Sequence, residues 1–89
     1  MQKVDKVLYS REARNFIKKA DEKLKKQLKD GIEGIKIIPS VGDIKPLSGY
    51  KDGRMRLRLG KYRVIYRYER DNLLILYIID IGSRGDIYK

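Results

Sequence analysis

The stretch RMRLRLGKYRVIYRY, residues 54–68, alternates apolar and charged side chains so regularly that it predicts a two-stranded hairpin. Gly60 and Lys61 form its natural two-residue turn, because glycine at the first position suits the type II′ geometry that matches strand twist. That turn fixes the register, so Leu59 should pair with Tyr62 and one side of the hairpin should join a core. The other side, which we call the arginine face, carries Arg54, Arg56, Arg58, Arg63 and Arg67.

The arginine face sets like charges opposite one another, which destabilises a strand pair by roughly 0.2–1 kcal/mol for each pair. In the predicted register Arg58 faces Arg63 and Arg54 faces Arg67, and no acidic residue interrupts the hairpin before Glu69. A solvated face with counterions is the ordinary explanation of a charge run, but lysine would serve solubility equally well. Arginine throughout favours an anion-binding surface, because the planar guanidinium binds phosphate or carboxylate through two parallel hydrogen bonds.

Length and composition restrict the chemistry that the chain can carry. With 89 residues it should form one domain, residues 1–89, with a single two-layer core. Cysteine and histidine are absent, which excludes disulfides, thiolate or imidazole zinc sites and histidine acid–base catalysis, so we expect no metal and no cofactor. The longest apolar run is too short for a membrane span and no secretory signal is evident, which predicts a cytoplasmic protein. A formal charge of +10 points to nucleic acid, an anionic surface or an acidic protein partner.

The remaining sequence predicts an α+β fold in which a helical hairpin packs on a small, largely antiparallel sheet. Residues 2–9 suggest a first strand, Ser10 and Asp21 are candidate N-caps of two successive helices, and Pro39 should end the second helix. Residues 39–53 should form one long loop before the hairpin, and the strand LLILYIID, apolar on both sides, should follow it inside the sheet. The predicted order is β-α-α-β-β-β, with the arginine face on the side that the helices leave open.

The last residues complete a combination that resembles the pattern of a known family. The segment KPLSGYKDGRMRLRLGKYRVIYRY, an apolar strand and the final IGSRGDIYK resemble the RelE toxins of the RelE/ParE superfamily, the mRNA interferases of bacterial and archaeal toxin–antitoxin pairs. The resemblance covers nearly the whole chain in element order. Its specific parts are the KPL loop, the R-x-R-x-G-x-Y-R-V-I-Y hairpin and the terminal G-x-R and D-x-Y-K. It implies a RelE/ParE-like fold and a toxin that cuts mRNA in the ribosomal A site, held inactive by an antitoxin that the charge predicts to be acidic.

The resemblance also assigns roles to particular residues. RelE-type members use two basic residues before the hairpin turn, an arginine after it, an arginine beyond the last strand and a tyrosine near the C-terminus; here these are Arg54, Arg56, Arg63, Arg84 and Tyr88. Such cleavage needs no metal, because the 2′-OH of the RNA is the nucleophile and the protein stabilises charge on the phosphorane oxygens. We expect Arg56, Arg63, Arg84 and Tyr88 to be catalytic, and Arg54, Arg58 and Lys61 to bind RNA.

Proton transfer has no obvious carrier, since relatives have lysines where this chain has Arg54 and Arg56, and arginine in practice keeps its proton. Tyr88 is the remaining titratable group, and nearby arginines would lower its pKa. Ordinary structural roles stay open as well: Arg63 as the partner of a helix acid, Arg84 in a terminal salt bridge and Tyr88 as an aromatic at the core edge. Two other functions also stay open, namely a ParE-like inhibitor of DNA gyrase and a relative that binds nucleic acid or antitoxin without cutting.

Overall fold

Two helices pack on one side of a five-stranded sheet in this chain, of which the computed structural model describes residues 1–83. The elements are β1 (Gln2–Lys3), β2 (Lys6–Tyr9), α1 (Arg11–Lys19), α2 (Glu22–Ile35), β3 (Ile37–Ile38), β4 (Asp43–Pro46), β5 (Met55–Leu59), β6 (Tyr62–Arg70) and β7 (Leu74–Ser83). The main sheet has the order β2-β7-β6-β5-β4, while β1 and β3 form a small antiparallel pair. Strands β2 and β7 run parallel and the other neighbours antiparallel, which confirms the predicted helical hairpin on a largely antiparallel sheet.

The predicted order is confirmed for the main elements, but the first strand is not continuous. The Val4 N–H donates to the carbonyl of Lys36, whereas the Asp5 N–H donates to the carbonyl of Leu74. The backbone therefore leaves the small β1–β3 sheet at this point and enters the main sheet. The segment predicted as one strand over residues 2–9 is consequently divided into β1 and β2.

The region around Pro39 also differs from the prediction. Helix α2 ends at Ile35, four residues earlier than expected, and β3 lies between the helix and the proline. In a continuing helix the Ile35 carbonyl would accept from the N–H of residue 39, which proline lacks. The hydroxyl of Tyr68 supplies the missing donor at 2.6 Å. The proline thus ends the helix one turn before its own position.

The predicted loop over residues 39–53 contains a strand. Strand β4 pairs antiparallel with β5, setting Lys45 opposite Arg56 and Pro46 opposite Met55. Its four residues include a proline, which belongs only at the edge of a sheet because it cannot donate to a ladder. β4 is indeed an edge strand of the main sheet.

Both helices begin at the predicted caps. The Ser10 Oγ accepts a hydrogen bond from the Ala13 N–H at 3.0 Å, and Asp21 Oδ1 accepts from the Leu24 N–H at 2.8 Å. Each bond satisfies one of the amides that a helix start leaves without an intrahelical partner. The Ser10 hydroxyl also donates to the Ile79 carbonyl, which fixes the start of α1 against β7. Within residues 1–83, neither helix has the length and apolar character to cross a membrane.

The core lies between the helices and one side of the sheet. Its most buried residues are at most 4% exposed and include Ala13, Leu28, Ile32, Ile35, Leu57, Val64, Tyr66, Leu76 and Ile78. Burying each large apolar side chain contributes about 1.5–3 kcal/mol. Helix α2 approaches β5 so closely at Gly31 that a Cβ there would lie 2.7 Å from a Leu59 methyl carbon. This packing leaves the opposite side of the sheet free of helices.

Candidate functional site

The hairpin forms in the predicted register, which pairs Leu59 with Tyr62, Leu57 with Val64, Arg58 with Arg63 and Arg56 with Ile65. Gly60 has a φ of +62° and no non-glycine residue within residues 1–83 has a positive φ, as a type II′ turn with glycine first requires. Because Leu57 and Val64 belong to the core, the alternating arginines lie on the side that the helices leave open.

Two arginines of this face are almost fully buried, which sequence alone did not indicate. Arg56 is 7% exposed and Arg63 is 5% exposed. Arg56 lies diagonally across the strand pair from Arg63, a spacing of roughly 7–8 Å. A buried guanidinium is unfavourable unless its charge and its donors find partners. The partners of these two side chains therefore decide what the site can bind.

Arg63 is the less satisfied of the two. Its Nη1 makes long hydrogen bonds to the carbonyls of Gly60 and Tyr62, at 3.4 and 3.3 Å. Its Nε is buried and has no hydrogen-bond partner among the described residues. Arg56, by contrast, has Nη2 3.3 Å from Asp43 Oδ1. An arginine with free donors in a buried setting is suited to receive an oxyanion.

Acidic residues neutralise more of the arginine face than the sequence predicted. Arg54 contacts Asp52 at 2.9 Å and Arg67 contacts Glu69 at 3.4 Å, while Asp43 of β4 contacts Arg56. The hydrogen bond from Arg54 holds the pKa of Asp52 below its ordinary value. Arg54 and Arg67 also lie over tyrosine rings, 4.3 Å from the centre of Tyr50 and 5.1 Å from that of Tyr77. Three of the five arginines therefore have an acidic partner.

The remaining arginines gather at the hairpin turn. The Arg58 Nε and the Arg63 Nη1 both donate to the Gly60 carbonyl, each at 3.4 Å. Neither has a carboxylate partner within residues 1–83. Lys61 is exposed at the turn, with its ammonium 5.5 Å from the ring centre of Tyr62. Its side chain lines a cleft with Leu24 and Gln27 of α2, on the helix side of the sheet. We call Arg58 and Arg63 the turn end of the arginine face, and Arg54 and Arg67 with their acidic partners its loop end.

A pocket of about 360 Å³ adjoins the loop end. Its walls are formed by Glu12, Leu47, Tyr50, Arg54, Ile65, Ile79 and Asp80. The strand ladder has an irregularity here, since Ile65 pairs with Asp80 and Tyr66 with Ile78, which leaves Ile79 as an extra residue on β7. Burial and the charge of Glu12 raise the pKa of Asp80, against the lowering effect of its hydrogen bond from the Ile81 N–H. Sequence reasoning missed this pair of acids, although an aspartate after the apolar run LLILYII was a signal.

The structure thus places four of the seven residues predicted to act on RNA on the arginine face. Arg56 and Arg63 are buried neighbours, Arg58 lies beside them, and Arg54 precedes β5. Lys61 instead lies in the cleft between the hairpin turn and α2. The other two, Arg84 and Tyr88, lie outside the described residues. Within residues 1–83, no group of three acidic side chains is arranged to hold a metal ion.

Comparisons with known proteins agree with this architecture. The family model described as the ParE toxin of the type II toxin–antitoxin system parDE matches residues 7–88. A chain of the archaeal RelE–RelB complex from Pyrococcus horikoshii OT3 is 21% identical, with a TM-score of 0.73 over 91% of this chain and 96% of that chain. The RelB–RelE antitoxin–toxin complex from Methanococcus jannaschii gives 23% identity and a TM-score of 0.70 over 91% and 94%. No curated protein sequence matches significantly. The solved structures share the fold.

Proposed function

Because this chain belongs to the ParE toxin family of type II toxin–antitoxin systems, within the RelE/ParE superfamily, we propose that it is a ribosome-dependent endoribonuclease that cleaves mRNA in the A site. The observation that carries this proposal is the buried state of Arg56 and Arg63 on the open side of the sheet. The partly unsatisfied guanidinium of Arg63 is suited to an oxyanion whose charge grows during a reaction. A surface made only to attract nucleic acid has no need to bury its arginines.

The reaction that suits these residues transfers the phosphate within the RNA. The 2′-oxygen bonds to phosphorus as the bond from phosphorus to the 5′-oxygen breaks, which leaves a 2′,3′-cyclic phosphate and a 5′-hydroxyl. Arg56 and Arg63 stabilise the negative charge that develops on the phosphorane oxygens. Arg54, Arg58 and Lys61 hold flanking phosphates. Arg84 adds a further charge-stabilising donor, and Tyr88 aligns the 2′-OH or moves a proton.

The proposed partner of the toxin is an acidic antitoxin. Both structural relatives were crystallised with a RelB protein. In this chain, the turn end presents like-charged Arg58 and Arg63 directly opposite each other, an arrangement that an anionic partner stabilises. The antitoxin should therefore cover the turn end and compete there with RNA, so the free and bound toxin should differ in activity.

The test is cleavage by the purified full-length chain on ribosomes programmed with a defined mRNA, mapped by primer extension. The proposal predicts a cut within the A-site codon and none on the same mRNA without ribosomes. Adding the antitoxin should suppress the cut. An uncut mRNA on a fully programmed, translating ribosome would contradict the nuclease function.

Inhibition of DNA gyrase is the second candidate, since the matching family model is that of the ParE toxin. It requires binding rather than catalysis, so it explains the basic hairpin but not the burial of Arg56 and Arg63. A supercoiling assay on the same preparation separates the two, because inhibited supercoiling with intact mRNA would identify a gyrase inhibitor. If neither activity is found while nucleic acid or antitoxin is bound, the chain is a non-catalytic relative, which arginines in place of the lysines of relatives would explain.

A further inference from the structure

The pocket beside the loop end differs in chemistry from the surface around it. Among the described residues, neither Arg56 nor Arg63 lines it, and of those predicted to bind RNA it contains Arg54 alone. Its apolar wall is formed by Leu47, Ile65 and Ile79, and its polar wall holds two acids, Glu12 and Asp80. Carboxylates repel phosphate, so this pocket is not a continuation of the phosphate-binding surface. It needs an occupant that is flat or apolar and carries hydrogen-bond donors.

Stacking surfaces are available at the mouth of the pocket. The Arg54 guanidinium carbon lies 4.3 Å from the centre of the Tyr50 ring, and the Tyr50 side chain is 48% exposed. The ion pair of Arg54 with Asp52 restrains the guanidinium further. Proteins that bind single-stranded RNA stack unpaired bases on aromatic rings and on arginine planes of this kind. A nucleobase is therefore a natural occupant.

The two acids have no cationic partner in the described part of the chain. Asp80 Oδ1 accepts the Ile81 N–H at 2.9 Å. Within residues 1–83, neither Asp80 nor Glu12 forms a salt bridge, whereas Asp43, Asp52 and Glu69 each pair with an arginine. Burial and the neighbouring Glu12 charge disfavour an ionised Asp80, so donors that enter between the two acids relieve an unfavourable arrangement.

We propose that this pocket, lined by Tyr50, Arg54, Glu12 and Asp80, binds one unstacked base of the substrate RNA and selects guanine, a proposal that rests on RNA being the substrate. Guanine presents two adjacent donors, N1–H and the N2 amino group, which pair with a single carboxylate. Adenine and cytosine set an acceptor beside their amino group, and uracil has a single N–H between two carbonyls. Each of these three bases would therefore set a hydrogen-bond acceptor against the carboxylates of Glu12 and Asp80, which themselves only accept hydrogen bonds.

The position of the pocket suits a base attached to the nucleotide that the arginines hold. Arg63 pairs with Gly82 across β6 and β7, and Asp80 lies two residues along β7 on the same side of the sheet. This diagonal arrangement separates Asp80 from Arg63 by roughly 7–8 Å. A phosphate on Arg63 and a base against Asp80 can belong to neighbouring parts of one RNA strand, so the pocket would set which codons are cut.

Equilibrium binding of short 2′-fluoro RNAs to the full-length toxin, which lack the attacking hydroxyl, tests the site without cleavage. One position is varied among guanine, hypoxanthine, adenine, cytosine and uracil at fixed salt, and affinity is followed by fluorescence anisotropy. Guanine should bind about 5- to 100-fold more tightly than adenine, cytosine or uracil. Hypoxanthine, which keeps N1–H and lacks the amino group, should fall between. Equal affinities for all five bases would overturn the proposal.

Isosteric variants locate the selectivity. Asp80→Asn and Glu12→Gln keep the size of the side chains, and the asparagine oxygen still accepts from the Ile81 N–H, yet each should reduce the preference for guanine. Tyr50→Ala should weaken all bases alike, and it keeps the test open if an acid variant fails to fold. The matched controls are Glu69→Gln and Tyr77→Ala, which remove an acid and an arginine-stacked ring from the loop end and should leave the preference unchanged. Undiminished selectivity in both acid variants would overturn the site.

Three further outcomes distinguish the guanine site from the nuclease function and from antitoxin binding. If programmed ribosomes are cut but every A-site base is cut equally, the nuclease stands and the guanine site is wrong. If no mRNA is cut while guanine is still bound selectively, the nuclease is wrong and the base site stands. If Asp80→Asn weakens binding of the antitoxin and leaves RNA selectivity unchanged, the pocket holds a basic antitoxin side chain, and the proposal is wrong.

Discussion

The two ends of the arginine face contain the same residue type and differ in what surrounds it. At the loop end, Arg54 and Arg67 each have a carboxylate within 3.4 Å and lie over a tyrosine ring. At the turn end, Arg58 and Arg63 share one carbonyl, that of Gly60. Exposed ion pairs contribute only about 0–1 kcal/mol, but they restrain a side chain and cancel its field. The unneutralised end is therefore the one available to an anionic ligand.

Arg56 lies between these two ends and shares properties of both. It is buried like Arg63, yet it has a carboxylate partner, Asp43, like the arginines of the loop end. Asp43 itself is largely exposed, with 55% of its side chain accessible. An RNA phosphate can replace such an exposed partner without leaving it buried and unpaired. A guanidinium held in place before the substrate arrives needs little rearrangement in the reaction.

The largest expected difference between the ends is in catalysis. Arg63→Ala should lower the rate of mRNA cleavage on programmed ribosomes by about 10²–10³, the effect of removing one preorganised donor from an oxyanion. Arg56→Ala and Arg84→Ala should behave similarly, while Arg67→Ala at the loop end should change the rate little. Single-turnover cleavage kinetics measure all four, and comparable losses for Arg67 and Arg63 would abolish the distinction between the ends.

Tyr88→Phe tests proton transfer or alignment of the 2′-OH, since the substitution keeps the ring and removes only the hydroxyl. We expect a loss of rate without a change in the unfolding transition or in ribosome binding. The position of the cut should not move. A variant that cleaves at the original rate would show that the hydroxyl takes no part in the chemistry.

The two ends should also differ in how the loss of an arginine affects stability, and here the loss at the turn end should be the favourable one. Arg63→Met replaces a buried charge whose Nε lacks a hydrogen-bond partner with an apolar side chain, which removes the cost of burying a poorly satisfied guanidinium. We therefore expect a variant that is inactive and at least as stable as the original in urea unfolding. The matched change, Arg67→Met, breaks an ion pair with Glu69 and should confer no such gain. Marked destabilisation by Arg63→Met would mean that Arg63 serves the fold rather than the ligand.

Salt dependence should distinguish the ends in binding. Arg58→Ala or Lys61→Ala should reduce the slope of log affinity against log salt by about 1 on ribosome–mRNA complexes, because each removes a cation that displaces counterions. Arg54→Ala should reduce the slope less, since Asp52 already neutralises part of its charge. The measurement is a filter-binding titration at several salt concentrations. Equal slopes for the Arg58 and Arg54 variants would contradict a difference in available charge.

The smallest effect concerns Asp52 of the loop end and Asp80 of the adjoining pocket, whose pKa values are shifted in opposite directions. The pKa of Asp80 is raised, so the folded state holds its proton more tightly and loses stability as pH rises above about 4. The pKa of Asp52 is lowered, so its contribution has the opposite sign and is lost as pH falls. Between pH 4 and pH 7 the unfolding free energy of the original chain should therefore fall relative to that of Asp80→Asn. No shift in urea titrations at these two pH values would contradict the effect of burial.

Local patterns were sufficient to predict much of the fold. Alternation and the Gly60-Lys61 turn gave the correct hairpin register, and the caps at Ser10 and Asp21 are confirmed. Strand β4 was missed because four residues with a proline carry almost no strand signal, and they are stabilised by pairing with β5 and by the packing of Ile44 on the core. The parallel pairing of β2 with β7 joins residues 69 positions apart, which no local pattern encodes.

The sequence was sufficient to predict which residues form the candidate site, but not their burial or their ion pairs. Alternation placed the arginines on one side of the sheet, but their burial depends on the whole fold. The partners Asp43 and Asp52 lie outside the alternating segment, so the sequence made the face appear more charged than it is. The approach of Glu12 to Asp80 depends on how α1 docks on β7, where the Ser10 hydroxyl meets the Ile79 carbonyl.

The sheet order has a consequence for synthesis on the ribosome. Strand β7 lies between β2 and β6, so the main sheet cannot close until residues 74–83 have been translated. Until then β2 has no neighbour in that sheet and the hairpin of β5 and β6 has one open edge. Contacts between such distant parts of a chain form slowly, and the nascent chain meanwhile exposes unpaired strand edges. The last strand of the main sheet to be synthesised is thus the one that joins its two parts, and the unpaired edges of β2 and β6 persist until it has left the ribosome.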